Sequence, residues 1–209
     1  MLKNKGTLLV AVLFLFSMGV RTYDIRSPYE TWDEGASVAG ALGYGYNLYK
    51  HDFSYDAWNF RQEVPPVYGY LYAIPVGFDV LVHHRDLFTA GYSQALLSID
   101  AVKHSALVYM RLFSALLGSL TVVLTYLIGK RLFDRKTALV GALILSLTPA
   151  FLAHTRLAAK DSPTVFFYTL AIYVFLRALE NRSNRGLLTT AVVTGLAVGT
   201  KISNATLIP

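Results

Sequence analysis

The sequence predicts an all-α polytopic membrane protein with a long loop after its first apolar segment. The chain has 209 residues, of which 54% are hydrophobic and only 15% are charged, whereas soluble domains carry about 25% charged residues. Five apolar segments are separated by short polar connections, apart from the one long loop. Cysteine is absent, which excludes a disulfide framework and a thiolate metal site.

The first transmembrane span is expected at about residues 7–22, behind a basic start. A cleaved signal peptide is the alternative, but the segment ends in Gly19-Val20-Arg21, a poor small-residue cleavage site. Further apolar segments follow downstream, which favours an uncleaved first helix. We expect the other spans at about 106–128, 137–153, 163–179 and 187–209.

Basic residues predict the orientation of the spans. They precede the first span and join spans two to three and four to five; these residues are Lys3, Lys5, Lys130, Arg131, Arg135, Lys136, Arg177, Arg182 and Arg185. Cytoplasmic loops carry the excess of Lys and Arg. The N-terminus is therefore expected in the cytoplasm, and the loop 23–105 on the extracytoplasmic face of the plasma membrane.

The loop is expected to carry short helices at the membrane surface, because it is rich in tyrosine and other aromatic residues. Residues 34–48 suit a short amphipathic helix. The apolar stretch 67–82 is broken by Pro75 and Asp79, which favours a surface-lying or re-entrant helix. A full span here is the alternative, and it would move the downstream basic residues to the outer face.

The acidic pair Asp33-Glu34 is the main candidate for chemistry. Adjacent carboxylates can supply a general base together with a metal ligand or hydrogen-bond acceptor. The structural alternative is a helix start, with Asp33 as N-cap and Glu34 in the first turn. Glu63, which Val64 separates from Pro65 and Pro66, could be held by this rigid segment, or could simply precede a helix.

A basic outer connection follows the third span. Arg156, Lys160 and Arg111 would face the same side of the membrane and suit a phosphate. The alternative is contact with lipid headgroups, with Asp161 capping the fourth span. His83-His84 is read as part of a loop rather than a metal site. No nucleotide-binding glycine motif, HExxH sequence or serine-nucleophile motif is present, and no nucleic acid is expected as a partner.

Taken in order, these pieces resemble the GT-C glycosyltransferases of the protein mannosyltransferase and aminoarabinose transferase superfamily (glycosyltransferase family 39-like). The resemblance covers most of the chain. It runs through Asp33-Glu34, Glu63-Val64-Pro65-Pro66-Val67-Tyr68, Arg111–Gly118, Gly129–Arg135, Thr148–Asp161 and Gly195–Lys201.

The resemblance implies a GT-C-type helix bundle and a transferase that moves a sugar from a polyprenyl-phosphate donor to a lipid, glycan or protein acceptor. Its setting would be protein glycosylation or cell-envelope lipid modification. Asp33 would be the general base of an inverting displacement, supported by Glu34. Glu63 and Asp161 would support acceptor, substrate or metal, and a divalent ion, where members use one, would lie at Asp33, Glu34 and Glu63. We infer that Arg156, Lys160 and Arg111 bind the lipid phosphate, because they are positively charged and are expected on the same side of the membrane.

Two departures from the family pattern are present. Members carry His or Lys before the paired prolines, where this chain has Val64. Residues at about 83–105 are read as extra loop relative to members. The later helices and C-terminal domain of members are also expected beyond this chain, so we expect residues 1–209 to be the N-terminal part of a GT-C transmembrane domain. A transporter is the competing class, which would place charges near mid-bilayer; a non-catalytic scaffold would leave Asp33 dispensable.

Overall fold

The computed structural model describes residues 2–27, 29–59, 65–88 and 99–208, which contain α-helices, 3₁₀ turns and no strand. The α-helices of these residues are α1 (Leu2–Thr22), α2 (Trp32–Tyr49), α3 (Tyr55–Trp58), α4 (Val67–His83), α5 (Ile99–Leu132), α6 (Arg135–Leu147), α7 (Pro149–His154), α8 (Asp161–Glu180) and α9 (Asn184–Thr200).

Helix α5 is the central element, because both halves of its 34 residues are packed by other helices. Its first half shares a core with α2 and α4, formed around Val38, Tyr72 and Met110. Its second half shares a core with α1 and α6, formed around Leu13 and Tyr126. The loop helices and the apolar spans are thus joined through one long helix.

Several helices expose apolar side chains instead of burying them. Leu8 and Leu15 on α1, Ile144 on α6 and Leu188 on α9 are each more than 60% exposed. Large apolar side chains exposed in this way suit contact with lipid. Two described helices, within Val102–Leu132 and Asp161–Glu180, are long and apolar enough to cross a bilayer, and Gly6–Thr22 and Val67–His83 are shorter apolar helices. The predicted fold class, an all-α membrane protein, is confirmed.

Helix α4 runs antiparallel to the first half of α5. Tyr72 meets Ser114 near the start of α4, and Asp79 meets Ser105 near its end. The phenol oxygen of Tyr72 is 2.6 Å from the hydroxyl of Ser114, and Ser105 donates to the Asp79 carboxylate at 2.8 Å. Pro75 lies inside the helix without ending it. Helix α4 therefore packs along the first half of α5.

Two predicted spans differ from the helices observed. The segment 137–153 is broken at Thr148, which is extended (φ −61°, ψ 119°) between α6 and α7; Pro149 disfavours a helical conformation in the residue before it. The segment 187–209 is helical only to Thr200. There the side-chain amide of Asn204 donates to the Ala197 carbonyl at 2.9 Å, satisfying a carbonyl at the helix end, and a 3₁₀ turn (Ile202–Leu207) follows.

Candidate functional site

The acidic pair opens helix α2, but the N-cap is Thr31 and not Asp33. The Thr31 hydroxyl accepts from the Glu34 N–H at 3.4 Å, and the Glu34 carboxylate accepts from the Thr31 N–H at 3.1 Å. This reciprocal capping box satisfies two donors at the helix start. Both acids therefore lie in the first turn, where negative charge is favourable.

Glu34 is fully buried and is bound from three directions. Its two carboxylate oxygens accept from Nε and Nη2 of Arg111 at 2.7 and 2.9 Å. One of these oxygens also accepts from the Ala158 N–H at 3.0 Å. A buried carboxylate with a bidentate guanidinium and two backbone donors is well compensated. Glu34 therefore joins α2, α5 and the α7–α8 connection.

The guanidinium of Arg111 has no N–H left over. Besides its two bonds to Glu34, Nη1 donates to the carbonyls of Ile25 and Ser27 at 3.3 and 2.7 Å, and Nη2 donates to the Tyr29 carbonyl at 2.7 Å. A guanidinium has five N–H donors, so all five are used. We expected Arg111 to contact a lipid phosphate; instead its donors fix the loop that leads into α2.

The pKa of Glu34 is lowered by this environment. Burial raises the pKa of the carboxyl, but the hydrogen bonds from Arg111, Ala158 and Thr31 favour the charged form and outweigh burial. Glu34 is consequently held as an anion at neutral pH, which suits an ion pair and not proton transfer.

Asp33 lies beside Glu34 but faces solvent. Its side chain is exposed and forms no hydrogen bond or ion pair with the residues whose side chains the structure describes. Trp32 beside it is 90% exposed. One carboxylate of the pair is thus fixed in the interior, while its neighbour is open to a ligand.

The connection between α7 and α8 lies against the same end of the bundle. Tyr72 donates to the Ala159 carbonyl at 2.8 Å, next to the Ala158 N–H that binds Glu34. Buried Arg21 donates through Nε to the Thr155 hydroxyl at 2.9 Å. Residues 155–160 are therefore held by α1, α2 and α4 together.

Asp161 begins α8, but it does not cap it. The N-cap is Lys160, and the Asp161 carboxylate lies 3.0 Å from His154 Nδ1 and 3.3 Å from Lys201 Nζ. Lys201 directly follows α9, so this acid connects the starts of α8 and of the final turn. The predicted capping role is replaced by two ionic contacts.

The two remaining predicted phosphate ligands lie on this connection. Arg156 is half-buried and donates through Nη2 to the Tyr23 carbonyl. Lys160 is half-buried, and its ammonium contacts no acid among the described residues. Both cations therefore lie at the end of the bundle where α2 begins. Glu63 and Val64 lie outside the described residues.

The metal ligands expected at Asp33, Glu34 and Glu63 cannot be compared as a set, because Glu63 lies outside the described residues. No group of three or more His, Asp or Glu side chains is gathered among them, the oxygens of Glu34 are occupied by donors, and Asp161 already contacts an ammonium. His83 and His84 also point to separate partners, with ring nitrogens 2.9 Å from Asp79 and 3.3 Å from Ser105.

Sequence reasoning missed three residues of this end of the molecule: Arg21, Tyr72 and Lys201. Arg21 is fully buried, and the signal was present, since an arginine ends the first apolar segment. Lys201 is the last residue of the segment Gly195–Lys201 that resembles the family, but the sequence indicated no role for it. Tyr72 offered no signal, because one tyrosine in an aromatic-rich loop cannot be distinguished from its neighbours.

Fold and site together define an all-α membrane protein with a buried ion pair beside an exposed carboxylate. Residues 94–209, more than half of the chain, match the family model described as dolichyl-phosphate-mannose-protein mannosyltransferase. The chain belongs to this family.

Relatives were found in yeast and in a bacterium. Dolichyl-phosphate-mannose–protein mannosyltransferase 5 of Saccharomyces cerevisiae is 27% identical over 206 residues, covering 95% of this chain and 25% of that protein. Mannosyltransferase 1 of the same yeast is 32% identical over 103 residues, 45% of this chain and 12% of that protein.

A protein of uncharacterised function from Aquifex aeolicus is 40% identical over 93 residues, 44% of this chain and 19% of that protein. The chain thus spans at most a quarter of the length of these three relatives. No solved structure matches it.

Proposed function

We propose that the protein is a membrane glycosyltransferase that moves a sugar from a polyprenyl-phosphate donor to an acceptor hydroxyl on the extracytoplasmic face. The observation that carries the proposal is the division of the acidic pair into a buried, ion-paired Glu34 and an exposed Asp33. Family membership and the names of the yeast relatives support the class of donor.

In the proposed reaction Asp33 is the general base. Its carboxylate removes the proton from the acceptor hydroxyl while that oxygen attacks the anomeric carbon from the face opposite the phosphate. The bond between the anomeric carbon and the phosphate oxygen breaks, and polyprenyl phosphate leaves with inversion of configuration. A positioned general base contributes about 10²–10⁴-fold to such a step.

Glu34 and Arg111 are proposed as positioning residues and not as catalytic ones. The ion pair holds the first turn of α2, and the three loop carbonyls bound by Arg111 fix the chain just before it. Lys103 and Glu30, 2.6 Å apart, add a second and more exposed ion pair between α5 and this loop. Orientation of a reacting group can account for a large part of a rate enhancement.

Arg156 and Lys160 are proposed to stabilise the phosphate that leaves. They lie on the connection whose Ala158 N–H binds Glu34. The proposed base, Asp33, and the proposed phosphate ligands are therefore linked through the buried carboxylate of Glu34. Cations that meet charge developing in the transition state are an effective source of catalysis.

The test is sugar transfer by the full-length protein in membranes, with mannose on a polyprenyl-phosphate carrier as the first donor. Asp33→Asn is expected to lower the transfer rate by roughly 100-fold or more. Asp56→Asn, which changes an exposed acid in the same loop, is the matched control and should keep its activity. Full transfer by Asp33→Asn would exclude Asp33 as the base.

A further inference from the structure

The opposite end of the bundle carries a cleft between the end of α8 and the start of α9. It has a volume of about 240 Å³ and is lined by Val174, Arg177, Ala178, Asn181, Ser183 and Thr189. Helix α8 is one of the two described helices long enough to span a bilayer, so the cleft at its end is expected at a membrane surface. A cleft of this size has room for several water-sized groups, and therefore for a phosphate ester.

A tight turn frames the cleft. Arg182 has a left-handed backbone (φ 47°); its N–H donates to the Leu179 carbonyl at 3.2 Å, and the Ser183 N–H donates to the Ala178 carbonyl at 3.1 Å. These two bonds form a Schellman motif. Gly186 then lets α9 approach closely, since a Cβ there would lie 2.8 Å from Ala178 Cβ.

The charge around the cleft is positive and is not neutralised by the described chain. Arg177, Arg182 and Arg185 fall within nine residues, and none of them contacts an acid among the side chains that the structure describes. The nearby acid, Glu180, is bound by Arg131. The amide of Asn181 likewise has no described partner, so the rim presents both a guanidinium and a neutral donor.

The helix ends that form the cleft also expose leucines. Leu179, Leu187 and Leu188 are 54%, 45% and 67% exposed, and they belong to the same two helix ends. The two helices that line the cleft therefore also offer hydrocarbon-compatible surface. This combination fits a phospholipid better than a soluble phosphate compound, because headgroup and acyl chains are both accommodated.

We propose that the α8–α9 cleft binds the phosphate of an anionic phospholipid, with Arg177 as the main contact and Asn181 as a second donor. Arginine matches phosphate oxygens with two parallel N–H groups, and basic pockets between transmembrane helices are suited to acidic headgroups. The acyl chains would lie along the exposed leucines of α8 and α9. The proposal does not depend on sugar transfer, nor on which leaflet the cleft faces.

The experiment measures lipid that stays bound to the full chain after reconstitution in vesicles of phosphatidylcholine with a minority of phosphatidylglycerol. Mass spectrometry of the intact protein–lipid complex counts the bound phosphatidylglycerol. Arg177→Gln should lower its affinity roughly tenfold, the size of one charge-assisted hydrogen bond, and Asn181→Ala should lower it less. Arg135→Gln removes an exposed charge at the same end of the bundle but outside the cleft, and should change the affinity less than twofold.

Three results would overturn the proposal. Equal losses in Arg177→Gln and Arg135→Gln would reduce the effect to general surface charge. Equal retention of phosphatidylcholine and phosphatidylglycerol would remove the preference for an anionic headgroup. Displacement of the lipid by millimolar inorganic phosphate would make the cleft a phosphate site without need of a lipid. Arg177 and Asn181 are both exposed, and an unchanged helical circular dichroism spectrum would verify the fold of each variant.

Discussion

Replacing Arg111 by leucine tests whether the buried ion pair holds the start of α2. The Glu34 side chain is 0% exposed and that of Arg111 is 7% exposed, so the substitution leaves a buried carboxylate without its cation. Breaking a buried pair in this way costs about 3–5 kcal/mol. Arg111→Leu also orphans three loop carbonyls, so it should cost at least as much as Glu34→Leu.

The double variant separates the interaction between Glu34 and Arg111 from the general effect of each substitution. Glu34→Leu together with Arg111→Leu leaves neither charge unpaired, so its cost should fall about 1–3 kcal/mol below the sum of the single variants. The pair Lys103–Glu30 is the matched control. Its side chains are 28% and 30% exposed, and a pair of that exposure contributes about 0.2–1 kcal/mol.

The assay is reversible unfolding in detergent micelles, followed by helical circular dichroism. The expected order of destabilisation is Arg111→Leu, then Glu34→Leu, with Lys103→Leu far smaller. Arg111→Leu could instead lower the free energy of unfolding by less than about 1 kcal/mol, as loss of an exposed pair would. The buried ion pair between Glu34 and Arg111 would then not be what holds the loop.

Three further predictions concern the same end of the molecule. The pKa of Glu34 is lower in the folded than in the unfolded chain, so its stabilisation is full above the unfolded value of about 4.3 and is lost as the pH falls through the folded value; the difference in melting temperature between wild type and Glu34→Gln should therefore shrink as the pH is lowered from about 4.3. Gly118→Ala places a Cβ 2.6 Å from Thr155 Cβ and should cost about 1–3 kcal/mol, whereas Gly141→Ala has open space and should not destabilise; equal melting temperatures would refute the close packing. Tyr72→Phe removes the bonds to Ser114 and Ala159 and should cost about 1–3 kcal/mol in the same unfolding assay; an unchanged stability would show that these bonds do not hold the connection.

Apolar runs made the helices predictable, because their length and spacing are local properties of the sequence. The first helix, the long α5 and α8 all follow from such runs. The break at Thr148 could also have been predicted, since Pro149 restricts the residue before it. The end of α9 could not, because it depends on the Asn204 side chain reaching back to Ala197.

The candidate site was predictable only in part, since its contacts join distant parts of the chain. The acidic pair and its place at a helix start were recognised, but sequence alone could not assign different environments to Asp33 and Glu34. The partner of Glu34 lies 77 residues away. Arg111 was assigned to phosphate from its charge and side of the membrane, which do not reveal that its donors are occupied.

The contact of Asp161 with Lys201 spans 40 residues and was missed for the same reason. A charge on the correct face of the membrane indicates which groups could meet. Packing then decides which of them do, and the number of donors on each group decides what remains for a ligand.

The most direct test of the division between Asp33 and Glu34 measures transfer rate and melting temperature side by side for Asp33→Asn and Glu34→Gln. Asp33→Asn should keep the melting temperature of the wild type and lose roughly 100-fold or more in rate. Glu34→Gln should lower the melting temperature, because it weakens a buried ion pair. An Asp33→Asn protein that transfers sugar normally, or a Glu34→Gln protein that is as stable as the wild type, would contradict the assignment of chemistry to Asp33 and of positioning to Glu34.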